Sequence, residues 1–229
     1  MHKFDRFKKL ISEDSFESIS SKTVLVIGVG GVGGYVVEAL VRSGIGKIII
    51  VDGDVVDETN INRQIIALSS TVGQSKVDVF EKRIKDINEN CEVIKINKFI
   101  DASNIDILFD YDFDYLVDAC DTTTTKKVLI SECLKRNIPF ISSMGTGNKF
   151  DPSKLEICDV RKTINDPLAR MIRKFVKDNK INKKVMVLSS CELPVKTGDR
   201  APGSTAFVPS SAGLLISSYI IREFLGKLK

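Results

Sequence analysis

The sequence contains no Cys-x-x-Cys pair, although it has five cysteines. These are spread along the chain at Cys91, Cys120, Cys133, Cys158 and Cys191. Zinc sites need closely spaced cysteine pairs and disulfide frameworks use an even number of cysteines, so neither is favoured. Reduced thiols are typical of cytoplasmic proteins, and a cytoplasmic location is therefore expected.

The sequence also lacks an apolar run long enough to cross a membrane. Residues 1–18 have no apolar core of the kind that a signal peptide carries. The most apolar segment, 206–225, is interrupted by Pro209, Arg222 and Glu223, and its unbroken part is too short to span a bilayer. We expect no stable membrane insertion and a buried C-terminal helix.

Histidine is nearly absent, since His2 is the only one and lies in a terminus that we expect to be frayed. Hydride transfer to or from an alcohol needs a general acid or base, usually a histidine or an activated tyrosine. None of the four tyrosines is followed four residues later by a lysine, so the tyrosine–lysine pair of short-chain dehydrogenases is missing. These absences argue against dehydrogenase chemistry.

Apolar runs alternate with amphipathic segments through the first 150 residues. The strand-like runs are 23–29, 47–54, 91–100, 115–120 and 139–145. Between them lie helical patterns such as 75–88, in which apolar residues recur at helical spacing. This β-α-β-α order predicts an α/β fold with a Rossmann-like, doubly wound and mainly parallel sheet.

The order changes after residue 150, where we expect antiparallel strands to be added to the sheet. Runs at 155–160 and 185–190 flank a helix whose apolar stripe consists of Leu168, Met171, Ile172, Phe175 and Val176. The last helix is predicted to follow Ser210 and Ser211, which are good capping residues.

The length suits one domain over residues 1–229. We expect a nucleotide-binding half at 1–150 and a substrate-binding and C-terminal part at 151–229. Residues 196–205 form a polar loop with glycine and proline, which predicts mobility. The sequence leaves open whether this loop closes over the bound nucleotide.

A glycine-rich turn joins the first strand to the following helix. Gly28, Gly30 and Gly33 fit G-x-G-x-x-G, and Gly31 lies within the turn. Glycines let a phosphate approach the unpaired N–H groups at the helix start. Asp52 ends the next strand, where a carboxylate can accept hydrogen bonds from ribose hydroxyls. The turn predicts an adenosine nucleotide and does not choose between NAD and ATP.

The loop after Asp52 favours ATP. It concentrates polar residues before the next helix: Asp54, Asn60, Asn62, Arg63, Gln64 and Lys76. Arginine and lysine near a glycine turn can neutralise phosphates beyond the first. Asp118 and Asp121 follow a later strand, at the sheet edge where a carboxylate could hold Mg²⁺. The alternatives are surface salt bridges for the cations and a helix cap for Asp121.

A basic stretch at 161–185 holds nine Lys or Arg against two Asp, a balance of +7, whereas the whole chain has a net charge of +4. Arg170, Arg173, Lys174 and Lys177 are candidates for phosphate contacts with a nucleic acid, although a solvated helix face remains open. No aromatic-rich base-stacking motif accompanies them. Recognition of a base is therefore expected to use pocket shape and polar contacts.

The segments 28–64, 72–76 and 117–122 resemble the ThiF/MoeB/HesA family, bacterial relatives of ubiquitin-activating enzymes, which adenylate carboxylates with ATP and Mg²⁺. The resemblance implies a nucleotide turn at Gly30, Gly31 and Gly33 and a ribose contact at Asp52. It implies that Arg6, in "DRFKKL", reaches into the neighbouring subunit of a homodimer. It further assigns phosphate contacts to Asn60 and Arg63, with Gln64 beside them, the α-phosphate to Lys76, and Mg²⁺ to Asp121.

Two departures from the family pattern restrict which branch of the family the chain can resemble. The CxxC pairs of zinc-binding members are missing, and Cys191 has no neighbours that favour a reactive thiol. Residues 141–177 and 203–226 resemble the tRNA-modifying branch, whose members adenylate and cyclise the threonine carboxylate of N6-threonylcarbamoyladenosine. The resemblance implies tRNA as substrate, and sulfur-transfer or redox proteins are further candidate partners.

Three alternatives stay open at this point. The chain could adenylate the C-terminus of a ubiquitin-like sulfur-carrier protein, as other family members do. It could be a redox-inert regulator that binds NAD, or a tRNA-binding module without catalysis. Preference for tRNA over a carrier protein, and for Mg·ATP over NAD, would separate these alternatives.

Overall fold

The computed structural model describes residues 2–198 and 201–227. It contains a seven-stranded sheet in the order β3-β2-β1-β4-β5-β7-β6. Only the β6–β7 pair is antiparallel, so the predicted mainly parallel, doubly wound sheet with an antiparallel C-terminal addition is confirmed. The strands are β1 Thr23–Ile27, β2 Lys47–Val51, β3 Glu92–Ile96, β4 Tyr115–Asp118, β5 Phe140–Ser143, β6 Leu155–Asp159 and β7 Met186–Ser190.

Helices cover both faces of this sheet. They are α1 Asp5–Ile11, α2 Glu13–Ser20, α3 Gly33–Arg42, α4 Lys76–Ile87, α5 Thr123–Arg136, α6 Pro167–Asp178 and α7 Phe207–Phe224. Residues along β1 alternate between two apolar clusters. Val24 and Val26 join α3, α4 and α7, while Leu25 and Ile27 join α5 and α6. The central strand is thus buried on both faces, as a parallel sheet requires.

The N-terminal segment is helical from Asp5, and the expected fraying around His2 stays a prediction. The Ser12 hydroxyl accepts a hydrogen bond from the Ser15 N–H at the start of α2. Phe16 then packs over Gly44, where an added Cβ would lie 2.4 Å from the ring. This long-range contact fixes α2, and the local sequence does not reveal it.

Helix α7 packs closely on α3. At Gly213 an added Cβ would lie 2.5 Å from the carbonyl oxygen of Val32, so this contact requires glycine. The predicted start after Ser210 and Ser211 is wrong, because α7 begins at Phe207. The Ser210 hydroxyl donates back to the carbonyl of Ala206, as a serine within a helix does. No described helix is long and apolar enough to cross a membrane.

A buried carboxylate ties α3 to α4. Glu38 is 7% exposed and accepts hydrogen bonds from Arg42 Nε at 2.7 Å and from Arg83 Nε at 2.7 Å and Nη2 at 3.0 Å. Burial raises the pKa of the Glu38 carboxyl, but the hydrogen bonds from both arginines outweigh burial and hold the pKa below its ordinary value. The ionised form is therefore favoured in the folded protein.

We predict that Glu38→Gln lowers the free energy of unfolding by about 1.5–3 kcal/mol at neutral pH, the range for hydrogen bonds to charged groups. A lowered folded pKa stabilises above the ordinary carboxyl pKa, and this stabilisation is lost as the pH falls through the folded pKa. Urea unfolding should therefore show the two proteins converging in acid. Glu58→Gln, at an exposed position, is the control, and an undiminished difference in acid would contradict the assignment.

Candidate active site

The glycine turn lies at the carboxyl edge of β1 and requires glycine at two positions. Gly28 has φ +79°, and an added Cβ there would lie 2.8 Å from the carbonyl oxygen of Ala119. At Gly33 an added Cβ would lie 1.8 Å from the carbonyl oxygen of Gly28. The first turn of α3 therefore lies directly against the end of β1, and a helix N-terminus in this position is a common binding site for phosphate.

Asp52 is held beside this turn by backbone groups. Its Oδ2 accepts from the N–H of Val29 and its Oδ1 from the N–H of Asp54, both at 2.9 Å. Burial raises the pKa of the Asp52 carboxyl, and the charge of Lys76 opposes this effect. Each oxygen retains a lone pair, so the carboxylate can also accept from ribose hydroxyls.

Gln64 brings a buried amide to the turn. Its Nε2 lies 3.4 Å from the position of an added Cβ at Gly30, and the side chain is 7% exposed. Its Oε1 is buried and has no hydrogen-bond partner among the described residues. Buried polar atoms are usually paired, so this orphaned group fits a site that a ligand completes.

A group of polar residues lies beside the turn and is called the polar wall: Arg63, Asn60, Asn62 and Gln64. Arg63 Nη1 donates to the carbonyl of Thr59 at 2.9 Å and to Asn62 Oδ1 at 3.0 Å. Its Cγ lies 3.5 Å from an added Cβ at Gly31. The Asn60 amide is used locally, because its Oδ1 accepts from the N–H of Asp57 at 3.2 Å. Arg63 retains further N–H groups for a phosphate, whereas Asn60 has mainly its NH₂ left.

Lys76 is the first residue of α4 and is only 5% exposed. Its Nζ lies 2.8 Å from Asp54 Oδ2, so Asp54 holds the ammonium group of Lys76 in the described structure. The Asp54 side chain is half exposed. A buried cation at a helix N-terminus adds to the positive end of the helix dipole, which favours an anionic ligand.

The two aspartates at the end of β4 and just after it have different surroundings. Asp118 is 1% exposed, and its carboxylate accepts from Lys126 Nζ at 3.0 Å and Ser142 Oγ at 2.5 Å. Asp121 is exposed and accepts from Thr122 Oγ1 at 3.3 Å. Asp118 is therefore committed to the fold, while Asp121 has lone pairs for a ligand.

Lys126 is a residue that the sequence reasoning missed. It is 0% exposed and sits three residues into α5, after a run of threonines that gives no sign of burial. Its partner Ser142 lies on β5. The turn that carries Asp121 is thus anchored from beneath by a buried ion pair, and it contacts Gly28 through Ala119.

The basic candidates on α6 are not equivalent. Arg173 donates to the carbonyl of Thr163 at 2.7 Å, and Lys174 pairs with Asp178 at 3.1 Å. Arg170 and Lys177 are exposed and have no ion-pair partner within the described ranges 2–198 and 201–227. Met171, predicted for the apolar stripe, is 44% exposed, so this part of the stripe is wrong.

The remaining sequence candidates lie outside the cluster. Arg6 is exposed on α1, and its contact with a second subunit stays a prediction. Cys191 is half-buried, and its backbone carbonyl accepts from Asn165 Nδ2 at 2.7 Å. Within the loop 196–205, Asp199 and Arg200 lie outside the described residues, so its predicted mobility stays a prediction.

The rest of that loop is attached to the site. Asn62 Nδ2 donates to the carbonyl of Ser204 at 3.1 Å. Asn148 donates through its N–H to the carbonyl of Gly203 at 2.7 Å, and its Oδ1 accepts from the N–H of Gly203 at 2.6 Å. These bonds join three segments that are distant in sequence, the loops around residues 62, 148 and 204.

Comparison with known proteins agrees with this geometry. The chain is 43% identical to tRNA threonylcarbamoyladenosine dehydratase of Bacillus subtilis (strain 168), over 98% of this chain and 95% of that protein. The crystal structure of the E. coli enzyme of that name, TcdA, in complex with ATP superposes with a TM-score of 0.92 at 32% identity, covering 98% of this chain and 94% of that chain.

A more distant relative shares only part of the chain. The probable molybdopterin-synthase adenylyltransferase of Porphyra purpurea is 34% identical over 53% of this chain and 31% of that protein. The model of the ThiF family matches residues 5–186. The chain therefore belongs to the ThiF family.

Proposed function

We propose that the chain is an ATP-dependent enzyme that adenylates the threonine carboxylate of N6-threonylcarbamoyladenosine in tRNA and then cyclises it, releasing AMP. The observation that carries this proposal is the similarity to tRNA threonylcarbamoyladenosine dehydratases over nearly the full length of both chains. The site supports it independently, because the glycine turn, Arg63 and Lys76 converge on one edge of the sheet.

Different site residues would bind different parts of the nucleotide. Asp52 would hold the ribose, and the N–H groups of the glycine turn would receive the phosphates. Arg63 would reach the outer phosphates with its remaining donors. Lys76 would leave Asp54 for the α-phosphate, a short movement of one flexible side chain. Asn60, Asn62 and Gln64 would complete the polar wall.

In the first step a carboxylate oxygen attacks the α-phosphorus of ATP, and the bond to the β-phosphate breaks so that pyrophosphate leaves. Negative charge grows on the α-phosphate oxygens and on the leaving pyrophosphate. Arg63, and Lys76 once its ammonium group has left Asp54, would oppose this charge, and such electrostatic stabilisation is commonly the largest contribution to catalysis. The reaction needs no protein nucleophile.

In the second step an atom of the carbamoyl group attacks the activated carbonyl carbon of the same side chain. AMP leaves with the former carboxylate oxygen, and one proton is released. Holding both groups in one geometry makes this ring closure effectively unimolecular. The nearby Cys120 thiol does not compete, because burial raises its pKa and keeps it protonated.

Asp121 has the properties expected of a magnesium ligand. Among the described residues no group of three or more His, Cys, Asp or Glu side chains could hold a metal by itself. Mg²⁺ typically takes one or two carboxylates together with substrate phosphates and water, which suits a single exposed aspartate beside a triphosphate. Bound there, Mg²⁺ would offset phosphate charge.

The substrate RNA would lie along α6. Arg170 and Lys177 would contact its phosphates, while Arg173 and Lys174 would contribute mainly to the positive field. We further propose a homodimer in which Arg6 of one copy approaches the site of the other, and a cytoplasmic location, where tRNA is modified. Sulfur-transfer or redox partners stay a prediction.

The first test of the proposal is a reaction with purified chain, Mg·ATP and tRNA that carries threonylcarbamoyladenosine. Mass spectrometry of the digested nucleosides should show that the modified nucleoside loses the mass of one water, with one AMP formed per nucleoside. A carrier protein offered in place of tRNA should not be adenylated. Adenylation of the carrier with no change in tRNA would overturn the proposal in favour of the carrier-protein activity.

We predict that Asp121→Asn lowers turnover by at least about 100-fold, the scale for removing one group that stabilises developing charge. The change keeps the size of an exposed side chain, so the unfolding transition should not move. Asp112→Asn is the matched control, because Asp112 is exposed in the loop before β4 at the opposite sheet edge. Normal turnover of Asp121→Asn would remove Asp121 from the site.

We predict that Arg170→Glu with Lys177→Glu weakens tRNA binding by about tenfold or more and reduces its salt dependence. Binding of Mg·ATP should not change. Lys9→Glu with Lys82→Glu changes the net charge equally at exposed positions on other helices, so it controls for charge alone. Equal loss in both double variants would show that α6 has no special role.

A further inference from the structure

Two exposed phenylalanines form a pair beside the active site. Phe150 is 65% exposed and Phe207 is 52% exposed, and their ring centroids lie 5.7 Å apart at an interplanar angle of 81°. Phe150 follows β5 and Phe207 is the first residue of α7, so the two rings come together only when the chain folds. The edge-to-face arrangement and this exposure leave aromatic surface available to a ligand.

The pair is mounted on fixed backbone. The N–H of Phe150 donates to Glu192 Oε1 and that of Asp151 to Glu192 Oε2, both at 2.9 Å. Phe207 is followed by Val208, which is 0% exposed and anchors the first turn of α7. The backbone at both phenylalanines is therefore fixed by the fold, while their side chains remain exposed.

One side of the pair connects to the nucleotide site. The residue two positions before Phe150 is Asn148, which exchanges hydrogen bonds with Gly203. The next residue, Ser204, accepts from Asn62 in the polar wall. At the other ring, Pro209 in the first turn of α7 lies 3.3 Å from an added Cβ at Gly31. The segments that carry both phenylalanines are thus linked to the glycine turn or to Asn62 beside it.

The other side of the pair connects to the basic helix. Lys149, directly before Phe150, places Nζ 2.6 Å from Asp166 Oδ2, and both side chains are almost fully buried. The other oxygen of Asp166 accepts from the N–H of Ala169 at 2.8 Å and caps α6. The segment that carries Phe150 is therefore linked on one side to α6, which offers cations, and on the other to the loop that carries Asn62.

We propose that Phe150 and Phe207 form a stacking platform for an unpaired nucleobase of the RNA substrate. The inference rests on the proposed function and adds the residues that position the RNA. Single-stranded RNA loops are recognised by splaying bases onto aromatic side chains, while phosphates meet nearby cations. An RNA strand bound to α6 would stack one of its bases on the two rings. The threonine carboxylate of the modified nucleoside would then point towards the α-phosphate of ATP.

Charge complementarity selects RNA over a second protein copy as the occupant. The stretch 161–185 has a balance of +7 (nine Lys or Arg against two Asp), and α6 within it is tied to the pair through Lys149. An identical copy would bring the same positive charge to the interface. An RNA with unpaired bases would bind the cations through its phosphates and the rings through its bases.

The test uses the full chain with both changes Phe150→Leu and Phe207→Leu, which keep apolar bulk and remove the aromatic faces. Affinity for tRNA that carries threonylcarbamoyladenosine should fall by about tenfold or more, as expected for losing base stacking. Phe150→Leu with Phe207→Trp should restore much of this affinity. Binding of Mg·ATP and the sedimentation coefficient should match the wild type.

Tyr111→Leu is the control, because Tyr111 is an exposed aromatic residue in the loop before β4, at the opposite edge of the sheet. A change in tRNA affinity smaller than about twofold in the double leucine variant would overturn the platform. So would an altered sedimentation coefficient, which would assign the rings to contact between copies. Failure of the wild type to bind tRNA would instead overturn the proposed function itself.

Discussion

The contact between Gly33 and the carbonyl of Gly28 sets the position of everything else in the site. A single methyl group at Gly33 would overlap that oxygen, so the start of α3 can lie on the end of β1 only because the side chain is absent. The turn after β4 meets the same point, since Gly28 lies against Ala119. The N–H groups of α3 and the carboxylate of Asp121 are thus placed relative to one backbone contact.

Two buried ion pairs maintain the sheet edge around that contact. Asp118 with Lys126 fixes the turn after β4, and Lys149 with Asp166 fixes the loop after β5 to the start of α6. Burying charges is costly, and such pairs persist when each oxygen and ammonium is also hydrogen-bonded. Ser142 and the carbonyl of Gly145 supply those bonds. This part of the structure therefore combines a rigid polar frame with exposed groups, Asp121 and the two phenylalanines, for which we propose ligands.

The sequence predicted those parts of the fold that depend on local pattern. The strands, the glycine turn and α4 follow from apolar periodicity and from glycines at fixed spacing, and the structure contains all three. Patterns that depend on distant partners were missed. Lys126 and Lys149 are indistinguishable from surface lysines until their carboxylate partners are in place. The start of α7 depends on burial of Val208, which outweighs the capping preference of Ser210 and Ser211. Likewise, Arg173 makes a bond to Thr163 that only the fold provides, and its contact with RNA stays a prediction.

We propose that this geometry serves the transfer of AMP to a carboxylate, and oxygen tracing tests that transfer most directly. The substrate is tRNA whose threonine carboxylate carries heavy oxygen, incubated with the chain and Mg·ATP, and the AMP produced is analysed by mass spectrometry. If the carboxylate is adenylated, the bridging oxygen leaves with the phosphate, so each AMP gains one heavy oxygen. AMP without heavy oxygen, or ADP and inorganic phosphate as the products, would contradict carboxylate adenylation.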